Sequence, residues 1–393
     1  MDSTAMASVA GTIGVVGGGQ LALMLCEAAR SRDVEVIVQS ASDGDPAMAV
    51  AREQVAGAPT DPAATEELSK RCQHITFENE WIPVDALQEL DRDGVMFSPS
   101  LNSLLPLVNK LSQRRLLDDL AIPSPAWIAL DEISSDSPAL PPGWTFPVMA
   151  KAAHGGYDGK GTRVIRDLKS LKELLGSVSV EDWLLETWVA YERELALVVT
   201  RDRQGRIRSL PLVETHQKNQ VCDWVLAPAE SEQLLEATAY NIAASLLTSL
   251  GYVGVMALEF FYGPAGLMVN EIAPRTHNSG HFSIEACSSS QFDQQLCITA
   301  GLPVPATDLV TPGAIMVNLL GLPSGATEPL KSRLAALEAI PRSHLHWYGK
   351  QEMPGRKVGH VTVLLEQTDP VARGQEARSV LEKIREVWPN PLN

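Results

Sequence analysis

The 393-residue sequence has no CxxC pair among its five cysteines (Cys26, Cys72, Cys222, Cys287 and Cys297). An odd count at scattered spacings suits reduced, buried thiols in a reducing compartment rather than a disulfide framework. Long apolar runs are missing too, none approaching the ~18 to 20 residues that a bilayer-spanning helix needs. The first ten residues, Met1 to Ala10, carry neither a basic nor an apolar leader segment, so a cytoplasmic location and no membrane association are expected. Positive charge is scarce: 32 Lys and Arg against 48 Asp and Glu leave a formal net charge of -16. That balance argues against nucleic acid as a partner, and any anionic substrate must be met by local clusters of cations.

What remains is an ordinary globular composition, 45% hydrophobic and 20% charged. The length predicts roughly two to three domains with a large core. Short apolar runs at Thr12 to Val16, Val34 to Val38, His74 to Phe77 and Gly94 to Phe97 alternate with helical patterns such as Leu21 to Ala29, which predicts a parallel α/β sheet. A Ser- and Pro-rich stretch, Ser134 to Pro147, marks a join between segments. Beyond it the pattern reads as α+β. Strands are expected at Pro147 to Ala150, with Trp183 to Thr187 and Glu194 to Thr200 in a mixed sheet. A helix is expected over Ser231 to Leu250, then a hairpin of Gly251 to Phe261 with Gly266 to Glu271. Strand-like runs at Ala314 to Leu320 and Gly359 to Leu365 precede a helix over Pro370 to Trp388.

Five clusters could carry chemistry. Gly17-x-Gly19-x-x-Ala22, between a strand and a helix, fits a dinucleotide-binding turn, but Gln39 and Ser40 stand where such a site wants a ribose-binding acid. Lys151 through Gly161 packs Gly155, Gly156, Gly159 and Gly161 between cations; glycines let backbone amides approach phosphate oxygens, and a surface hairpin loop is the alternative. Glu259 and Glu271 each sit in an apolar strand of the predicted hairpin. Two carboxylates side by side need positive charge between them, which points to Mg2+, with Mn2+ as a substitute; structural salt bridges are the alternative. His277 and His281, with Glu285 beyond, have helical spacing for zinc, yet Asn278-Ser279-Gly280 favours a loop and a donor-rich anion pocket. Lys350, Arg356 and Lys357, spaced by Gly349, Pro354 and Gly355, form a candidate phosphate clamp, or else a solvated charge run.

In this order, these clusters resemble the ATP-grasp superfamily and, within it, the N5-carboxyaminoimidazole ribonucleotide synthetases. The strings that carry the resemblance are Gly155-Gly-Tyr-Asp-Gly-Lys-Gly161, Gly251-Tyr-Val-Gly-Val-Met256, Asn270-Glu-Ile-Ala-Pro-Arg275 through His281, and His344-Leu-His-Trp-Tyr348 through His360. The resemblance implies an N-terminal Rossmann-like domain (1–99), an ATP-grasp domain (100–311) with a mobile lid near 147–200, and a small β-rich C-terminal domain (312–393). It also implies a homodimer acting on ATP, bicarbonate and 5-aminoimidazole ribonucleotide.

It further implies that Lys110 and Lys151 contact ATP phosphates under a flap of Gly156, Tyr157, Asp158, Gly159, Lys160, Gly161 and Thr162. Glu186, Thr187, Trp188 and Val189 would form the adenine hinge, and Glu194 would hold the ribose. Asn270 would join Glu259 and Glu271 at the metal. Tyr157, Asp158, Arg275, His277, Asn278, Ser279 and His281 would surround the reacting carboxylate and imidazole. Gly19, Gln20, Lys350, Arg356 and Lys357 would bind the ribonucleotide, with Glu78 as a further contact. For one place beside the nucleotide, His216 and Gln217 compete. The turn departs from the family pattern in reading Gln20-Leu21-Ala22-Leu23, without the usual cation.

Overall fold

The computed structural model describes residues 11–155, 161–323 and 328–392. Gly156, Tyr157, Asp158, Gly159 and Lys160, five of the expected flap residues, lie outside the described residues. Three sheets organise the chain. The first is five-stranded and parallel, centred on Ile13–Val16, which pairs with Val36–Ser40 on one side and His74–Phe77 on the other. Its central strand is wholly buried, because helices cover both faces and a parallel sheet of this kind tolerates little but apolar residues.

The second sheet is four-stranded and antiparallel, ordered Trp127–Ala129, Trp183–Thr187, Val148–Ala152, Thr162–Ile165. The expected lid range of 147–200 differs from this unit in two ways. The sheet begins at Trp127, and Arg193–Arg201 leaves it for the third sheet. Trp183–Thr187 and Arg193–Arg201 therefore do not share a sheet, contrary to the sequence expectation. The residues between them, 188–192, span the passage from one layer to the other.

The third sheet has nine strands, and it runs through the boundary expected at 311/312. Val221–Ala227 pairs antiparallel with Gly313–Leu320, Trp224 opposite Val317. The C-terminal strands Lys357–Leu365 and Ser343–Trp347 extend the same ladder. At its other side Gly254–Gly263 and Gly266–Ala273 form the predicted hairpin, with Glu259 directly opposite Glu271 and a bulge just after Glu259. Opposed residues share a face, so this register alone puts both carboxylates on one side.

One buried amide bolts the first sheet to the third. Gln295, in the helix Gln291–Ala300, accepts from the Val255 N–H at 2.8 Å and donates to Thr76 Oγ1 and the Ser98 carbonyl, both at 2.9 Å. Val255 is the second residue of the strand that carries Glu259, while Thr76 lies two residues before Glu78. This amide therefore fixes the N-terminal glycine turn relative to the carboxylate pair. Substituting Gln295→Leu keeps the bulk but leaves the Val255 N–H without this acceptor. A loss of about 2–4 kcal/mol in urea unfolding is expected, and an unchanged unfolding midpoint would contradict this role.

Candidate functional site

A single cleft of about 650 Å3 runs between the second and third sheets and on to the glycine turn of the first. Met149, Val164, Thr187, Trp188 and Val189 line one end, Glu259, Asn270 and Glu271 the middle, and Gln20, Glu78, Arg275, His277, Asn278, His281 and Lys357 the other. Thus most of the residues singled out from sequence converge on one continuous space.

The middle is governed by charge. Lys110, at the start of the helix Lys110–Asp119, pairs with Glu271 Oε1. Burial disfavours the Glu271 anion, but Lys110, with Lys151 and Arg275 behind it, holds its pKa below the usual carboxylate range. Among the described residues Glu259 has no Lys or Arg ion-pair partner, and His277 Nε2 lies 3.7 Å away. Burial, reinforced by repulsion from Glu271 and Glu194, pushes Glu259 up to about 7. Among the described residues no three His, Cys, Asp or Glu side chains converge as a metal-binding group, so His277, His281 and Glu285 do not form a zinc site. The oxygen pair of Glu259 and Glu271 suits Mg2+, which takes one or two carboxylates and completes its shell with water and phosphate oxygens.

Glu186 lines the cleft beside Thr187, Trp188 and Val189, with its side chain committed to two cations. Its carboxylate is only 2% exposed and is held by Arg114 Nη2 at 2.6 Å and Lys151 Nζ at 2.8 Å. Burial opposes its ionisation, and the two cations outweigh that and keep its pKa low. Arg114, which sequence reasoning missed, also donates to the carbonyls of Val269 and Asn270 at 3.1 and 2.7 Å. One guanidinium thereby ties the strand of Glu186 to the strand of Asn270 and Glu271. The available signal was its i,i+4 spacing from Lys110, which puts both cations on one helix face. Lys151 Nζ reaches Asn270 Oδ1 at 3.0 Å as well.

Gln217 and His216 separate cleanly. Gln217 lines the cleft and hydrogen-bonds Glu194, as does Tyr191, whose ring stacks on Phe261 at 4.5 Å. His216 instead stacks on Trp224 at 5.2 Å and is half exposed. Tyr191 was another omission from the sequence expectations. Thr162 lines the cleft, and its hydroxyl meets Gln220 Oε1 in the turn of the neighbouring hairpin.

At the far end, Glu78 fills the glycine turn. Its carboxylate accepts from the Gly19 N–H at 2.6 Å and the Leu21 N–H at 3.2 Å, at the start of the helix Gln20–Arg30. Gly17 takes φ +115°, and a side chain at Gly17 or Gly19 would collide with Glu78. A carboxylate already occupies the anion site that a dinucleotide pyrophosphate would use. Gly19 therefore offers its amide to Glu78, while Gln20 Oε1 accepts from Lys350 Nζ.

Arg275 donates to Glu80 Oε2 at 2.6 Å. His277 Nδ1 accepts from the Ser279 N–H at 3.3 Å, which leaves the neutral ring's proton on Nε2, facing Glu259. Burial, with Arg275 and Lys357 adding, holds His277 well below the normal imidazole value. Ser279 does not line the cleft; its hydroxyl supports His277 at 3.0 Å. Asn278 Nδ2 is buried without a hydrogen-bond partner among the described residues, and His281 is held by Gln291 at 3.0 Å. Lys357 lines the cleft, whereas Arg356 is exposed outside its lining.

Three family models match the chain in sequence: a ribonucleotide synthetase preATP-grasp domain over residues 10–105, an ATP-grasp domain over 115–292, and a phosphoribosylaminoimidazole carboxylase C-terminal domain over 314–373. An N5-carboxyaminoimidazole ribonucleotide synthase of Synechococcus elongatus is 45% identical over 383 residues, covering 96% of both chains. The crystal structure of the synthetase from Thermus thermophilus superposes with a TM-score of 0.83 at 30% identity, over 96% of this chain and 98% of that one. The Aspergillus clavatus enzyme in complex with ADP and 5-aminoimidazole ribonucleotide gives 0.83 at 28% identity, over 95% and 98%. With a relative of that identity matched along nearly its entire length, and all three domain models met in order, the chain belongs to the N5-carboxyaminoimidazole ribonucleotide synthase family of ATP-grasp enzymes.

Proposed function

We propose that the protein uses Mg-ATP to carboxylate 5-aminoimidazole ribonucleotide with bicarbonate, giving N5-carboxyaminoimidazole ribonucleotide, ADP and phosphate, as a cytoplasmic homodimer in purine biosynthesis. The observation that carries this is the opposed pair Glu259 and Glu271 at the middle of one cleft, with Thr187, Trp188 and Val189 at one end and Lys357 at the other, where Lys350 reaches the lining residue Gln20. The five cysteines, all buried and in no disulfide, suit the compartment. Six carboxylates and four cations line the cleft among the described residues. Two phosphorylated substrates would meet a surplus of negative charge there unless divalent metal entered with the nucleotide. Mg2+ held by Glu259 and Glu271 would supply the positive charge that bridges phosphate oxygens.

The chain's own groups do the rest. Lys110 and Lys151 neutralise charge as a bicarbonate oxygen attacks the γ-phosphorus and ADP leaves, giving carboxyphosphate. The glycine flap over 156–162 excludes water while this short-lived species persists. The substrate amine then attacks the carboxyl carbon, directly or as released CO2; the C–O bond to phosphate breaks and the amine proton leaves with phosphate. Asn278 Nδ2, unpartnered in the cleft wall, is a donor for the carboxylate oxygens. Trp188 and Val189 bind adenine, Glu194 with Gln217 holds the ribose, and Gln20, Lys350, Arg356 and Lys357 take the ribonucleotide.

ADP release with Mg-ATP, bicarbonate and aminoimidazole ribonucleotide, each omitted in turn, tests the substrate set. All three should be required, and equal ADP formation without the imidazole or without bicarbonate would remove that assignment. Glu271→Gln should cost about 4 kcal/mol of transition-state stabilisation, roughly a thousandfold in rate. Near-normal turnover in that variant would take Glu271 out of the metal site.

Burial, with repulsion from Arg356, brings Lys350 down to about 8. Its ammonium is lost as pH rises through that value, and with it the attraction for phosphate. kcat/KM for aminoimidazole ribonucleotide should therefore fall above pH 8, about tenfold per pH unit at the limit. The same ratio for Mg-ATP should lack this limb, and a flat profile for the ribonucleotide up to pH 9.5 would exclude Lys350 from binding.

A further inference from the structure

Behind the cation loop lies a buried polar stack that the proposed chemistry leaves unused. The strands Ser343–Trp347 and Lys357–Leu365 form a hairpin whose connection carries Lys350 and Arg356. At its neck the Tyr348 N–H donates to the Val358 carbonyl at 3.0 Å, and the Tyr348 hydroxyl meets His360 Nδ1 at 2.7 Å. Lys350 Nζ lies 5.6 Å from the centre of the Tyr348 ring, within reach of a cation–π attraction. His360 is wholly buried and stacks on His346 with ring centres 4.4 Å apart and planes 11° from parallel. His346 Nε2 in turn meets Glu285 Oε1 at 2.7 Å. Glu285 belongs to the short helix Ser283–Ala286, which directly follows the His277–His281 segment. His281 closes the circuit, its ring 4.9 Å from that of His360.

This stack is poor packing by the standards of a core. Glu285 Oε2 and His360 Nε2 are buried with no hydrogen-bond partner among the described residues, and apolar residues of the same shape would avoid that desolvation. What the polar stack provides is direction. Rings and a carboxylate fixed by hydrogen bonds hold one geometry, where aliphatic side chains would allow several. It spans the two segments that grip opposite sides of the substrate end of the cleft, the cation loop and the His277–His281 segment.

We propose that Tyr348, His360, His346 and Glu285 are positioning residues, a rigid spacer that sets the gap between the cation loop and the His277–His281 segment and so tunes affinity for the phosphate-bearing end of the ribonucleotide. The inference rests on the ribonucleotide assignment made above. It separates the two ends of the cleft, because the spacer touches neither the hinge nor Lys110 and Lys151.

The test uses the intact enzyme with two conservative variants, Tyr348→Phe and Glu285→Gln, one at each end of the spacer. Ribose 5-phosphate binding is read by calorimetry without ATP, and KM is measured separately for aminoimidazole ribonucleotide and Mg-ATP. Tyr348→Phe should weaken ribose 5-phosphate and raise KM for the ribonucleotide by about tenfold, with KM for Mg-ATP and kcat within about twofold; Glu285→Gln should follow the same pattern at about threefold. A purely structural role would lower thermal stability and raise both KM values together, and that result would overturn the proposal. Unchanged ribose 5-phosphate affinity in both variants would overturn it as well. Should wild-type enzyme fail to turn over the ribonucleotide, the substrate assignment falls, while the calorimetric comparison still judges the spacer.

Discussion

Two carboxylates facing each other across neighbouring strands are the constraint around which this protein is arranged. Opposed antiparallel register fixes Glu259 and Glu271 on one face, and no rotamer change separates them far enough to remove their repulsion. The surrounding cations are distributed unevenly. Lys110 serves Glu271, Arg114 and Lys151 serve Glu186, and Arg275 is turned away to Glu80. Glu259 is left with a neutral imidazole, and its proton affinity rises accordingly. Lys110 thus neutralises one member of the pair only, while Arg114, Lys151 and Arg275 are committed to Glu186 and Glu80.

The same logic explains the first sheet. A glycine turn at the start of a helix attracts anions, and here Glu78 occupies it from within. The turn is converted from a dinucleotide cradle into a rigid ledge that presents Gln20 to Lys350. Gln295 then ties that ledge to the strand of Glu259 through one side chain.

Much of this was legible in the sequence because it was local. Lone carboxylates in apolar strands, four glycines between cations, and apolar runs such as His74–Phe77 are signals contained in a few residues. The parts that escaped notice depend on contacts far apart in the chain. Nothing near Glu186 tells that its carboxylate will be held by Arg114, 72 residues earlier. The hairpin of Val213–Lys218 and Val221–Ala227 has a mixed pattern, since one face meets the cleft and the other the core. Nothing near residue 311 announces that Gly313–Leu320 will join that hairpin instead of opening a separate layer. Gln217 and His216 could be told apart only by the bulge between them, which sends one side chain inward and leaves the other on Trp224.

That shared sheet has a bearing on how the protein is made. The strand Val221–Ala227 meets its neighbour Gly313–Leu320 only after a long intervening stretch, and Asp223 within it is finally clasped by Arg385 and Asn390. During synthesis the hairpin of Val213–Lys218 and Val221–Ala227 thus emerges from the ribosome with one edge unpaired, and its ladder is completed only once the later strand has been translated.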